Sequence, residues 1–126
     1  MGSKIPVMVS GTITDASGRT LSGQTVEAFL ISLQHAELLS IGLNCALGAD
    51  QLLSYIRRLA QNADCYISAH PNAGLPNAFG QYDQDAQAMG ALIKKYLDES
   101  LVNIIGGCCG STPEHVKAIA DLVKDY

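Results

Sequence analysis

Val102-Asn-Ile-Ile-Gly-Gly-Cys-Cys-Gly-Ser-Thr-Pro-Glu-His115 decides how the rest of the chain is read. An apolar, β-branched run stops at Gly106 and Gly107, and Cys108 and Cys109 follow at once. Beyond Gly110, Thr112-Pro113-Glu114 has the form of a helix start: Thr caps, Pro suits the first helical position, and Glu favours the positive helix end. The cysteine pair therefore lies where a strand ends and a helix begins, which is where α/β proteins bind ligands. Leu39-Ser-Ile-Gly-Leu-Asn-Cys45-Ala-Leu-Gly-Ala-Asp50 has the same form. Three thiols carried by two strand ends could converge on one metal.

Working outward, the pattern repeats. Strands are expected at Ile5–Ile13, Leu38–Leu43, Cys65–Ala69 and Val102–Ile105. The helix after the first starts near Ser22 and turns Val26, Phe29, Leu30 and Leu33 inward. The next runs from Asp50 to Asn62, with Leu52, Leu53, Ile56 and Leu59 inside. A third, capped by Asp83 or Asp85, reaches Glu99 and buries Met89, Ile93, Tyr96 and Leu97. The last starts at Pro113 with Val116, Ile119, Ala120 and Val123 inside. These are the i, i+3, i+4, i+7 spacings of one buried helix face. The stretch His70 to Tyr82, rich in Gly, Pro and Asn, is a long loop, and loops of that length inside a domain are usually functional.

Alternating short apolar strands and helices imply an α/β fold with a parallel sheet. Right-handed crossovers put all four post-strand segments, near Thr12, Cys45, His70–Asn72 and Cys108–Cys109, on one edge. Four βα units are half of a (β/α)₈ barrel, which needs about 250 residues. Periodicity fits both a half-barrel and an open, flavodoxin-like sheet. In the half-barrel case Val7, Val9, Ile41, Ile67 and Ile104 are the candidates to face the barrel interior.

Composition narrows the function classes. The chain has 126 residues, 48% hydrophobic and 16% charged, which argues against disorder. A net charge of −4 offers no footprint for nucleic acid. No apolar run approaches the roughly 20 residues of a membrane span, and no secretory signal is visible. Met1-Gly2-Ser3 reads as an expression remnant, leaving residues 4–126 as the domain. Four cysteines without a signal peptide suggest reduced thiols in the cytoplasm, serving metal or catalysis.

Val9-Ser-Gly-Thr-Ile-Thr-Asp-Ala-Ser-Gly-Arg19, Gly42-Leu-Asn-Cys-Ala46, Ser68-Ala-His-Pro-Asn-Ala-Gly-Leu-Pro76 and Gly106-Gly-Cys-Cys-Gly110 resemble the homocysteine-binding domain of cobalamin-dependent methionine synthases. Gly-Gly-Cys-Cys-Gly is shared more widely among zinc-dependent homocysteine methyltransferases, and the other stretches are more particular to the cobalamin-dependent type. The resemblance implies strands five to eight of a (β/α)₈ barrel. It implies zinc on Cys45, Cys108 and Cys109, holding homocysteine as a thiolate for methyl transfer from methylcobalamin, with methionine as product. The first four strands and the folate and cobalamin domains of such an enzyme are absent from the sequence, so zinc binding without turnover is expected. Two open sheet edges predict self-association.

Each residue has a plainer reading beside this one. The three thiols could be structural cysteines, or Cys108–Cys109 a strained vicinal disulfide in a non-enzymatic, flavodoxin-like binding module. Asn72 is a displaceable fourth zinc ligand under the resemblance, or an ordinary turn asparagine. His70 is a substrate-side or metal residue, or a hydrogen-bonded loop histidine. Asp15, with Thr12, could bind the amino group of homocysteine, or Asp15 could make a turn before Gly18. Cys65 reads as a small buried hydrophobe, and His35 and His115 as solvated helix residues.

Overall fold

The computed structural model describes residues 3–14 and 16–126. Met1, Gly2 and Asp15 lie outside the described residues. The elements alternate: β1 (Val7–Gly11), α1 (Val26–Leu33), β2 (Leu38–Gly48), α2 (Ala49–Asn62), β3 (Tyr66–Asn72), α3 (Ala86–Asp98), β4 (Ile104–Ile105) and α4 (Pro113–Val123). The four strands form one parallel sheet in the order β1-β2-β3-β4.

That order separates the two architectures left open by periodicity. A flavodoxin-like sheet reverses its winding at a switch point and has a non-sequential strand order. Here every strand pairs with the next in sequence, and the helices touch in the same order, α1 on α2, α2 on α3 and α3 on α4. Right-handed crossovers in a constant direction lay all helices on one face, as in a (β/α)₈ barrel. Forked ion pairs reinforce this layer: Arg58 holds Glu27 of α1, and Arg57 holds Glu99 at the end of α3.

The register assigns the two sheet faces. Val9, Ile41 and Ile67 share one row, and Gly11, Leu43, Ala69 and Ile105 another. Ile41, Leu43, Ile67 and Ala69 are buried in one cluster with Leu52, Leu53, Ile56, Leu59, Met89 and Ile93, so both rows face the helices. Ile41 and Ile67 are thus not interior residues of a half-barrel, as expected above. Because side chains alternate along a strand, the open face carries the intervening rows: Ser10, Gly42, Ser68 and Ile104, then Asn44 and His70. Of the five apolar candidates, Ile104 is placed on it by register. The open face is largely small and polar, and Ser10 donates to Asn44 Oδ1 across it at 2.6 Å.

Helix α4 is turned relative to expectation. Val116 and Ala120 are exposed, whereas His115 and Ile119 are buried and Leu122 is half-buried. His115 is therefore no solvated residue. Its Nδ1 accepts from the Thr112 N–H in a capping box, and its Nε2 meets the Gln84 carbonyl at 2.6 Å. His35 is exposed, but in the turn just past α1. Cys65 precedes β3, half-buried against the core.

Two glycines test this packing. A Cβ on Gly42 would lie 1.9 Å from Ser68 Oγ and 2.1 Å from the Ser68 carbonyl oxygen, whereas one on Gly90, inside α3, meets nothing. Gly42→Ala is expected to cost about 1–3 kcal/mol of stability, and Gly90→Ala to add about 0.5–1 kcal/mol. Urea unfolding of both variants checks the signs; a neutral Gly42→Ala would contradict the strand contact.

Candidate metal centre

The site is built where β2 and β3 stop running in step. Asn44 pairs with His70 and Gly48 with Asn72, so Cys45, Ala46 and Leu47 bulge out opposite Pro71 alone. Proline has no N–H to give to a ladder. Cys45 and Ala46 both take left-handed backbone, φ 60° and 56°. Each costs about 1–2 kcal/mol for a side-chain-bearing residue. Neighbouring contacts hold the bulge: Leu47 is buried in the core, and the fully buried Tyr96 donates its hydroxyl to the Ala49 carbonyl at 2.5 Å.

The segment after β4 is laced to the end of β3. Gly106 N–H donates to the Ala69 carbonyl at 3.1 Å, and Cys108 N–H to that of Pro71 at 2.8 Å. Cys109 N–H donates to Asn72 Oδ1 at 3.1 Å, and Ala73 N–H returns a bond to the Cys109 carbonyl at 2.9 Å. Gly106 lets the strands close up over His70: a Cβ there would sit 2.7 Å from His70 Cδ2.

These two devices bring the three expected thiols together. The sulfurs of Cys45, Cys108 and Cys109 lie within 4.8 Å of one another, the one such group of metal-ligating side chains among the described residues. Cys45 Sγ is 2.7 Å from Cys108 Sγ and 3.5 Å from Cys109 Sγ. All are free thiols, and even the shorter separation exceeds the about 2.05 Å of a disulfide. Sulfurs on a tetrahedral zinc with bonds of about 2.3 Å stand about 3.8 Å apart. The trio therefore needs only a slight opening to fit one ion. The donor chemistry agrees, since thiolates select soft or borderline metals such as zinc.

Electrostatics couples the pair that is closest. The Cys45 thiol is held below the usual thiol range, first by the hydrogen bond from Cys108. Burial, then that same bond, pushes Cys108 up to about 12. One proton is thus shared between them, and Cys45 is the first to be a thiolate.

The other expected residues divide. Asn72 is buried beside the thiols, with its amide oxygen on Cys109 N–H. His70 is half-buried on the open face, and burial lowers its imidazole below the usual range. Thr12 lines a groove with Gly11, Thr14 and Phe29 that no thiol lines. Asp15 lies outside the described residues. Tyr82 was not singled out by sequence reasoning. Its phenol is pushed up by burial and by the thiols beside it, and its hydroxyl reaches Cys109. An aromatic residue with a polar tip at the end of a long loop was the only signal for it.

Asn72→Ala is expected to leave the Cys109 N–H without its acceptor. That should cost about 1–3 kcal/mol in metal-free, reduced protein. Urea unfolding with a chelator present measures it; no loss would mean Asn72 does not hold the cysteine segment.

The family model for homocysteine S-methyltransferase matches residues 1–123. With its three converging thiols at two strand ends, the chain belongs to the homocysteine S-methyltransferase family.

Proposed function

We propose that this chain supplies the zinc-binding part of a site that transfers a methyl group to the sulfur of homocysteine, giving methionine. The observation that carries this reading is the convergence of Cys45, Cys108 and Cys109 within 4.8 Å. A zinc ion held there would act as a Lewis acid that keeps a fourth sulfur ligand deprotonated at neutral pH, although a free thiol of pKa about 8.5 is mostly protonated there.

The chain's own residues prepare that position. Cys45 and Cys108 give up their shared proton when metal enters. Asn72 fixes Cys109 through its backbone and, since an amide oxygen has two lone pairs, keeps one for the metal until substrate sulfur displaces it. The polar open face receives the amino-acid part of the substrate, with neutral His70 on it and Thr12 and Asp15 near its rim.

Methylcobalamin is the methyl donor in this reading, supported by the Ser-Gly-Thr-Ile-Thr-Asp and His-Pro-Asn-Ala-Gly-Leu-Pro stretches. The four units act as strands five to eight of a barrel, completed by a companion half and served by folate and cobalamin domains. A reduced, cytoplasmic setting suits the free thiols. Unassisted, β1 and β4 each present a bare edge, beside which Ile5 and Met8 are exposed, and this favours self-association.

Reduced protein should hold one zinc per chain. Cys65→Ala should keep it and Cys108→Ala should lose it, read by metal analysis after gel filtration. Equal loss from both, or no zinc in the parent chain, would refute the assignment. The chain by itself should make no methionine from homocysteine and methylcobalamin; turnover well above that of free zinc would show that these four units suffice.

A further inference from the structure

The three thiols differ in one respect that bears on selectivity. Cys45 and Cys108 are half-buried, whereas Cys109 is exposed. On the zinc reading above, a methyl donor meets protein sulfurs as well as the substrate's. All are thiolates, and any of them can attack carbon. The amides of Ala46 and Cys109 lie beside the Cys45 sulfur, and the Cys109 amide beside that of Cys108. The exposed Cys109 sulfur has instead a side-chain hydroxyl, that of Tyr82.

Tyr82 is set there by its surroundings. Gly110 has φ +79°, and a Cβ on it would lie 2.4 Å from both Cβ and Cγ of Tyr82. The absent side chain is the space the tyrosine occupies, next in sequence to Cys109. On the loop side, Tyr82 pairs with Pro76. Asn77 braces that turn, its Oδ1 accepting from the N–H groups of Phe79 and Gln81 and its amide donating to Asp83. A phenol is protonated at neutral pH and can donate. A hydrogen bond to an ionised acceptor is about twice as strong as a neutral one. It draws electron density from the sulfur that accepts it.

We propose that Tyr82 is a positioning and protecting residue, whose hydroxyl donates to the Cys109 sulfur and so keeps this exposed ligand from taking the methyl group in place of the substrate. The proposal rests on the zinc reading for its purpose, but the contact itself belongs to the chain.

The test is alkylation of the full chain, zinc-loaded, by methyl iodide, followed cysteine by cysteine by mass spectrometry. In that reaction the thiolate forms an S–CH₃ bond and iodide leaves. Tyr82→Phe keeps the ring and removes only the hydroxyl. It should raise the Cys109 rate roughly tenfold, as expected for one lost hydrogen bond to a charged group, and leave Cys108 unchanged. Tyr82→Leu should raise it at least as much. A Tyr82→Phe rate equal to wild type overturns the proposal, including the case in which only Tyr82→Leu is faster, since the ring would then act as a mere shield. Zinc is scored separately by release into a chromophoric chelator. A metal-free wild type would defeat the zinc reading, while the Phe-to-wild-type ratio at Cys109, measured on the reduced thiols, would still decide the role of Tyr82.

Discussion

The site depends on how the sheet ladder ends at Pro71. With no N–H there, β3 cannot continue a regular pairing with β2, and three residues of β2 bulge outward with Cys45 at their head. The same proline keeps its carbonyl, which receives the Cys108 N–H, and its neighbour Asn72 receives that of Cys109. One short stretch of β3 thus orients cysteines from two other strands. The left-handed backbone at Cys45 and Ala46 is the local cost, offset by the burial of Leu47 and by the anchor from Tyr96 to Ala49.

A second consequence lies on the face away from the helices. Sequential winding leaves that face without helices of its own, and its register rows are Ser10, Gly42 and Ser68, then Asn44 and His70. An apolar face of this size would call for a hydrophobic partner. A small, polar one suits a hydrated amino acid approaching the thiols. The neutral state that burial gives His70 avoids placing a second cation beside a metal.

Much of this was legible in the residues. Strand-to-helix punctuation at Gly106–Pro113 located the cysteine pair, and Asp85 and Thr112 cap the helices as expected. The failures have identifiable causes. Parallel strands buried on both sides do not alternate cleanly, so Ile41 and Ile67 could not be assigned to a face without the register. In α4, Val116-Ile119-Ala120-Val123 and His115-Ile119-Leu122 are overlapping helical frames. The bond from His115 to Gln84, 31 residues away, selects the second. The bulge at Cys45 and the contact of Tyr82 with Cys109 are likewise tertiary and leave no periodic trace.

The central claim is that the three cysteines form one zinc site with a position for substrate sulfur. X-ray absorption at the zinc edge, on reduced and zinc-loaded chain, addresses it most directly. The account predicts three sulfur neighbours at about 2.3 Å and one lighter N or O neighbour, which a fourth sulfur replaces when homocysteine is added. A shell dominated by nitrogen or oxygen, or four sulfurs before homocysteine is present, would contradict it.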